Sequence, residues 1–186
     1  MIAVSSAVAK TFEKILDKRI QTWAERVGAL SDLQGGFRIG RGCIDQLFLL
    51  NEITALRREQ GLPSFLAFID VRKAYDRVWR PGLWYKLREL GVGGRALDLI
   101  RAMFSKVVRT VFINGNYTED FDVEAGVQQG SVLSPFLYAV YINGLHRALC
   151  DAGLGMFCFG RRVPLLLYAD AIVLLARSAD DDAGCT

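Results

Sequence analysis

The sequence predicts an α+β fold. Three observations carry that expectation. Several segments repeat apolar residues at helical spacing. Short runs rich in β-formers are bounded by turn residues. The order of elements is strand, helices, then a late antiparallel hairpin, which fits a split βαβ sheet with helices on one face. With 186 residues and a 52% apolar fraction, the chain reads as one ordinary domain or a large fragment of a bigger one, and is too apolar for disorder.

Residues 6–27 place Val8, Phe12, Ile15, Leu16, Ile20 and Trp23 on one helical face, with Ser5 or Ser6 as cap. LSDLQGGFRIGRGC, residues 30–43, is a glycine- and arginine-rich loop. A second amphipathic helix spans residues 44–60 and stops at Gly61 and Pro63. SFLAFID then reads as a short, buried strand ending at Asp70. Two helices follow over residues 81–90 and 95–104, with Gly91 to Gly94 between them. Residues 107–123 carry a hairpin signal, with β-rich runs either side of Asn114-Gly115. GVQQGSVLSP is a loop, and Ser134 and Pro135 start a helix running to about residue 149. A strand over residues 156–159, a turn at 160–162 and a final hairpin, LLLYADAIVLLA, complete the elements. Residues 178–186 form a polar tail.

The most apolar stretch, residues 163–176, is interrupted by Asp170 and too short to span a membrane. The N-terminus has no basic region before an apolar core, so no secretory signal is expected. Cys43, Cys150, Cys158 and Cys185 are scattered, which argues against a zinc site or disulfide framework and makes a reducing compartment the default. Net charge is +3, unevenly spread: residues 61–110 hold 10 basic and 4 acidic side chains, and residues 111–186 hold 4 and 9. A basic middle with an acidic last third suits a polyanion on one side and a metal on another; solvated helix faces explain the same counts.

The chemistry is carried by two carboxylates. Asp170 sits in the two-residue centre of an otherwise apolar hairpin, and Asp70 closes an apolar strand. A bare carboxylate there either faces water or meets something positive. If the two strands are neighbours, the carboxylates converge and repel, and a divalent ion such as magnesium relieves that cost. Two such ions can clamp the attacking and leaving oxygens of nucleotidyl transfer. In GVQQGSVLSP, Gly126, Gln129 and Gly130 beside a helix entrance would let backbone approach a flat ligand; a plain loop before a proline-started helix is the alternative. Tyr75 could pack under the same ligand or belong to the core.

Taken together, these segments resemble the reverse transcriptase domain of non-LTR (LINE-type) retrotransposons. AKTFEKILDKRI is similar to an early helix of that family, LQGGFRIGRGCIDQL to its GFRxGRSxxD segment, and FIDVRKAYDRV to its first catalytic motif. GVQQGSVLSPFLYAVYIN is similar to the nucleotide-cradling motif and LLLYADAIVLLA to the YADD motif. The resemblance implies a right-hand polymerase: partial fingers over residues 1–62 and a palm with a ferredoxin-like sheet over residues 63–186, ending before the thumb. It implies an RNA template, a DNA primer, deoxynucleoside triphosphates and two magnesium ions, with manganese as a substitute. It implies an intracellular protein, nuclear or cytoplasmic, with no membrane partner.

By position, Asp70 and Asp170 match metal-binding catalytic carboxylates, with the Val71 carbonyl a further ligand. Tyr75 matches the aromatic residue that excludes a ribose 2′-hydroxyl. Lys73 and Ala74 match main-chain amides facing the triphosphate, and Gln129 and Gly130 the residues beneath nucleotide and template. Arg38 and Arg41 lie where fingers approach template and nucleotide. The family has two aspartates at the hairpin; this chain has Asp170 followed by Ala171. Impaired catalysis is therefore expected, the alternative being a catalytically dead, nucleic-acid-binding remnant.

Overall fold

A computed structural model of the chain describes residues 6–178. Helix α1 (Ala7–Arg26) is capped by Ser6, whose hydroxyl accepts from the Ala9 N–H at 3.2 Å. Its buried residues are Glu13, Ile20 and Ala24, while Val8, Phe12 and Ile15 stay exposed. The expected apolar face is thus rotated by about one residue. Glu13 explains the rotation: its carboxylate accepts from the Ser131 hydroxyl at 2.9 Å and the Val132 N–H at 2.7 Å, so the Glu13 side faces inward.

After a loop over residues 27–42 comes α2 (Cys43–Glu59), ended by Gly61 at φ 66°. Strand β1 (Phe65–Asp70) follows, then α3 (Arg80–Leu90), with Gly91 in the left-handed conformation at its end, and α4 (Gly94–Ser105). The hairpin holds two nested pairs: β2 (Val108–Arg109) with β5 (Phe121–Asp122), and β3 (Phe112–Ile113) with β4 (Asn116–Tyr117). Asn114 and Gly115 both have positive φ, as a type I′ turn requires.

The expected helix over residues 134–149 is two helices, α5 (Ser134–Ile142) and α6 (Leu145–Asp151). Asn143 stands at the break. Its side chain accepts from the Ser31 N–H at 2.8 Å and donates to the Ala29 carbonyl at 3.1 Å, tying the break to the loop after α1. Strands β6 (Met156–Cys158) and β7 (Arg161–Val163) pair around Phe159 and Gly160, so the turn lies just before the expected 160–162. β8 (Leu165–Tyr168) and β9 (Ala171–Ala176) form the last hairpin. The acidic tail beyond residue 178 lies outside the described residues.

The main sheet has the order β1-β9-β8 with both pairings antiparallel. β1 and β8 therefore run parallel with β9 between them. β1 is an edge strand, not the buried strand its composition suggests: Phe68 is 71% and Ile69 41% exposed. Composition records apolarity but not sheet order, and β1 has only β9 as a neighbour. The other edge is covered, because Leu33 and Gly35 exchange backbone hydrogen bonds with Leu167 of β8, each 2.9 Å long.

Two buried clusters hold the chain together. One joins α1, α3, α4 and α5 around Leu83, Leu87, Ile100, Leu133, Phe136 and Leu137. The other joins α2, α6 and strands β6 to β9 around Ile53, Met156, Leu165, Leu167 and Leu175. Ile20, Ala24 and Leu30 belong to the first and Leu33 and Ile53 to the second, so packing runs across residue 62. Among the described residues, no helix is long and apolar enough to cross a membrane.

Candidate functional site

The site is built on one end of the main sheet. Asp70 is the last residue of β1 and pairs with Ala171, the first of β9. One step further, the Val71 N–H donates to the Asp170 carbonyl at 3.3 Å. Two apolar strands thus end together and bring Asp70 and Asp170 to adjacent positions. Asp70 is exposed and Asp170 half-buried. Tyr168 pairs with Ala171 across the two-residue turn, and Ala169 has φ 59° while Asp170 does not have positive φ. That is the pattern of a type II′ turn, whose first centre favours glycine. An alanine there stores local strain that its surroundings must offset.

The loop after α1 supplies that support. Gln34 is fully buried, and its side-chain oxygen accepts from the Gly36 N–H at 2.8 Å and the Ala169 N–H at 3.3 Å. Gly36 lies so close that a Cβ there would meet the Ala169 nitrogen at 2.1 Å. The QGG triplet is therefore a cradle for the strained turn. Sequence reasoning missed Gln34; the only signal was a polar residue at the start of a glycine pair.

Tyr75 lies in the turn after β1, with its carbonyl accepting from the Val127 N–H at 2.8 Å. Gly126 makes that approach possible: its φ is 80°, and a Cβ would lie 2.7 Å from the Tyr75 and Asp76 carbonyls. The first motif and the GVQQG loop are thus one unit. Arg80 fastens that unit from below, donating to the Gly126 carbonyl at 2.9 Å and the Phe104 carbonyl at 3.0 Å. Glu13 holds the far end of the same loop through Ser131 and Val132. Tyr138 of α5 stacks on Tyr75 with ring centres 5.4 Å apart. Burial, with Asp170 nearby, pushes the Tyr75 phenol up to about 12. Burial pushes the Tyr138 phenol up to about 12 as well, with Asp170, Tyr75, Tyr141 and Asp70 adding to it. Both phenols are neutral at neutral pH, and the two rings and two carboxylates form one neighbourhood.

The other expected residues fall as follows. Lys73 is exposed and left-handed at φ 57°, at the outer corner of the turn after β1, and Ala74 is buried beneath it. Gln129 is half-buried, and Gly130 is exposed with φ 107°. Arg38 lies in the loop after α1. Its side chain is 3% exposed, pairs with Glu25 at 2.6 Å, and donates to the Ser31 and Gln34 carbonyls at 2.6 and 3.2 Å. That pairing holds the Glu25 carboxyl below its usual range. Arg41 is more open, at 31% exposure, and pairs with Asp32 at 2.6 Å. Both arginines organise the loop that cradles the turn. In the basic stretch, Arg80 is spent on carbonyls and Lys86 donates to the Tyr141 carbonyl, while Arg72, Lys73, Arg77, Arg88, Arg95, Arg101 and Lys106 remain exposed.

Asp70, Asp170 and the Val71 carbonyl at the same strand ends are hard oxygen donors. Two carboxylates and a carbonyl suit a small divalent cation that keeps several waters, as magnesium does. Among the described residues, no three or more His, Cys, Asp or Glu side chains are grouped to hold a metal. Position 171, directly across from Asp70, offers no side-chain oxygen.

Comparison with known proteins places this geometry in a class. Residues 1–185 match the family described as reverse transcriptase (RNA-dependent DNA polymerase). The chain belongs to that family, as a reverse transcriptase domain of the non-LTR retrotransposon type. It is 31% identical over 172 residues to the RNA-directed DNA polymerase from mobile element jockey of Drosophila funebris, covering 92% of this chain and 18% of that protein. It is 30% identical to the Pol polyprotein of the type-1 retrotransposable element R2 of Popillia japonica, covering 94% of this chain and 24% of the relative. The chain thus spans about a fifth to a quarter of these relatives. Among solved structures, a telomerase from Candida albicans in complex with a fragment of telomeric RNA superposes with a TM-score of 0.64 at 15% identity, covering 92% of this chain and 31% of the telomerase. That likeness is one of fold.

Proposed function

We propose that this domain is built for template-directed nucleotidyl transfer, extending a DNA primer on an RNA template with deoxynucleoside triphosphates, and that Ala171 impairs its catalysis. The observation that carries the proposal is the β1–β9 register, which sets Asp70 and Asp170 side by side at the end of two apolar strands. In this reading Asp70, Asp170 and the Val71 carbonyl hold magnesium, or manganese in its stead. Bound there, the ion would stabilise charge on the attacking and leaving oxygens as the primer 3′-oxygen bonds to the α-phosphorus and pyrophosphate departs. Tyr75 forms the wall beside the sugar and rejects a ribose 2′-hydroxyl by contact. The turn amides of Lys73 and Ala74 face the triphosphate. Gln129 and Gly130 underlie nucleotide and template, in a loop whose glycines allow close approach. The exposed cations of residues 72–106 neutralise the nucleic-acid backbone.

Ala171 favours a second reading. With one carboxylate fewer, two divalent ions are poorly balanced, and a loosened alignment of reacting atoms costs orders of magnitude in rate. The domain then holds RNA without extending a primer. Primer extension on an RNA template separates the two. Measurable extension that disappears in Asp170→Asn supports polymerase activity. Salt-sensitive RNA binding with no extension, in magnesium or manganese, supports the remnant.

A further inference from the structure

Tyr75 is half-buried in the turn after β1, and one face of its ring is covered by Tyr138 at a centre-to-centre distance of 5.4 Å and an interplanar angle of 28°. Tyr138 itself is 3% exposed. It stands in the middle of α5, where Phe136, Leu137, Ala139 and Val140 are also buried in the first cluster. Its position is therefore fixed by a rigid helix, whereas Tyr75 sits on a turn held through backbone contacts to the GVQQG loop. A ring that discriminates by steric contact works only if it cannot retreat. A recoil of about 1 Å is enough to change what a site accepts.

We infer that Tyr138 is a specificity-determining positioning residue: its ring backs the Tyr75 ring and sets how firmly the pocket rejects a ribose 2′-hydroxyl. The inference rests on the reading of Tyr75 as the sugar wall. It assigns the effect to the ring and not to the hydroxyl, because the contact is an offset stack of the two rings. Loss of a stacked aromatic pair then weakens the wall without removing it. The neutral state of both phenols keeps the contact free of charge repulsion across the neutral pH range.

The test compares equilibrium binding of dATP and ATP, each with magnesium, to the chain as it stands. The unmodified protein is expected to bind dATP more tightly. In Tyr138→Leu the preference falls about two- to tenfold, the fold-change that one stacked aromatic pair carries. In Tyr138→Phe it stays within about twofold, because the ring is retained. Tyr75→Ala serves as the reference for loss of the wall. If Tyr75→Ala lowers the preference and Tyr138→Leu does not, the role given to Tyr138 is wrong while the sugar wall stands. If neither substitution changes it, or the unmodified protein binds neither nucleotide, the nucleotide-pocket reading fails and this inference with it. If Tyr138→Phe falls as far as Tyr138→Leu, the hydroxyl acts and the ring-backing role is overturned. Should Tyr138→Leu lose its helical circular dichroism signal, Tyr138→Met replaces it under the same criteria.

Discussion

Replacing Ala171 with aspartate perturbs the site at a position whose geometry is fixed by register. Residue 171 pairs with Asp70, and the Val71–Asp170 hydrogen bond lies in the next pair, so Asp70 and residue 171 form a non-hydrogen-bonded pair. Such pairs have Cα atoms about 4.5 Å apart with side chains directed to the same face. An added carboxylate would stand about 5–6 Å from that of Asp70, an interaction of about 0.7 kcal/mol in water and about 3 kcal/mol at an effective dielectric of 20. Asp70 is exposed, which favours the lower end, so a cost of about 1 kcal/mol is expected without metal. For a domain of this size that lowers the melting temperature by roughly 2–4 °C. Magnesium reverses the sign. An ion held by three carboxylates binds more tightly than one held by two, and ligand at 100 times its Kd stabilises by about 2.7 kcal/mol. The assay is a paired thermal melt of the unmodified protein and Ala171→Asp, in chelator and in magnesium. The expected result is a lower melt for Ala171→Asp in chelator and a larger rise on adding magnesium. Equal melts in chelator with equal rises would refute both the cross-strand placement and the missing-ligand argument.

Gly36→Ala should prevent stable folding or cost more than about 3 kcal/mol in urea denaturation, because its Cβ would meet backbone of the Ala169 turn that cannot yield. Gln34→Leu strands the buried Gly36 N–H and the half-buried Ala169 N–H and should cost about 1–3 kcal/mol by the same measurement. Arg38 depresses the Glu25 carboxyl, so the pair's stabilisation is complete above the unfolded value near 4.5 and is lost as pH falls through the lower folded value. Glu25→Gln should accordingly show a shallower loss of stability below pH 4.5 than the unmodified protein, read from denaturation midpoints across acid pH. RNA binding should weaken steeply as salt rises from low to physiological concentration, since the exposed cations of residues 72–106 displace counterions, and a salt-independent affinity would exclude an electrostatic footprint.

Much of this arrangement is legible in the sequence because it is local. Asn114-Gly115 names its turn, the Ser5-Ser6 pair marks the helix start where Ser6 is the cap, and the apolar runs of β8 and β9 name a hairpin with Asp170 in its turn. Family motifs point to the residues that gather at the strand ends. What composition conceals is direction. In α1 two overlapping helical stripes are apolar enough to be buried, and hydrogen bonds from a loop more than a hundred residues away select the one containing Glu13. β1 is apolar up to Asp70, yet sheet order leaves it at an edge. Arg38 and Arg80 count as basic residues but are spent on carboxylate and carbonyl partners inside the fold. Gln34 and Tyr138 matter through contacts with segments distant in the chain, which no local pattern encodes, and Gly126, legible as a point of close approach, meets the Tyr75–Asp76 backbone.

Manganese binding tests the central claim most directly, because it reads the Asp70–Asp170 site without requiring turnover. The bound ion is followed by the loss of the free manganese signal in electron paramagnetic resonance, for the unmodified protein, Asp70→Asn and Asp170→Asn. The account predicts saturable binding by the unmodified protein that is abolished or weakened at least tenfold, about 1.4 kcal/mol, in each variant. Binding that survives both substitutions unchanged, or that is absent from the unmodified and Ala171→Asp proteins alike, would contradict it.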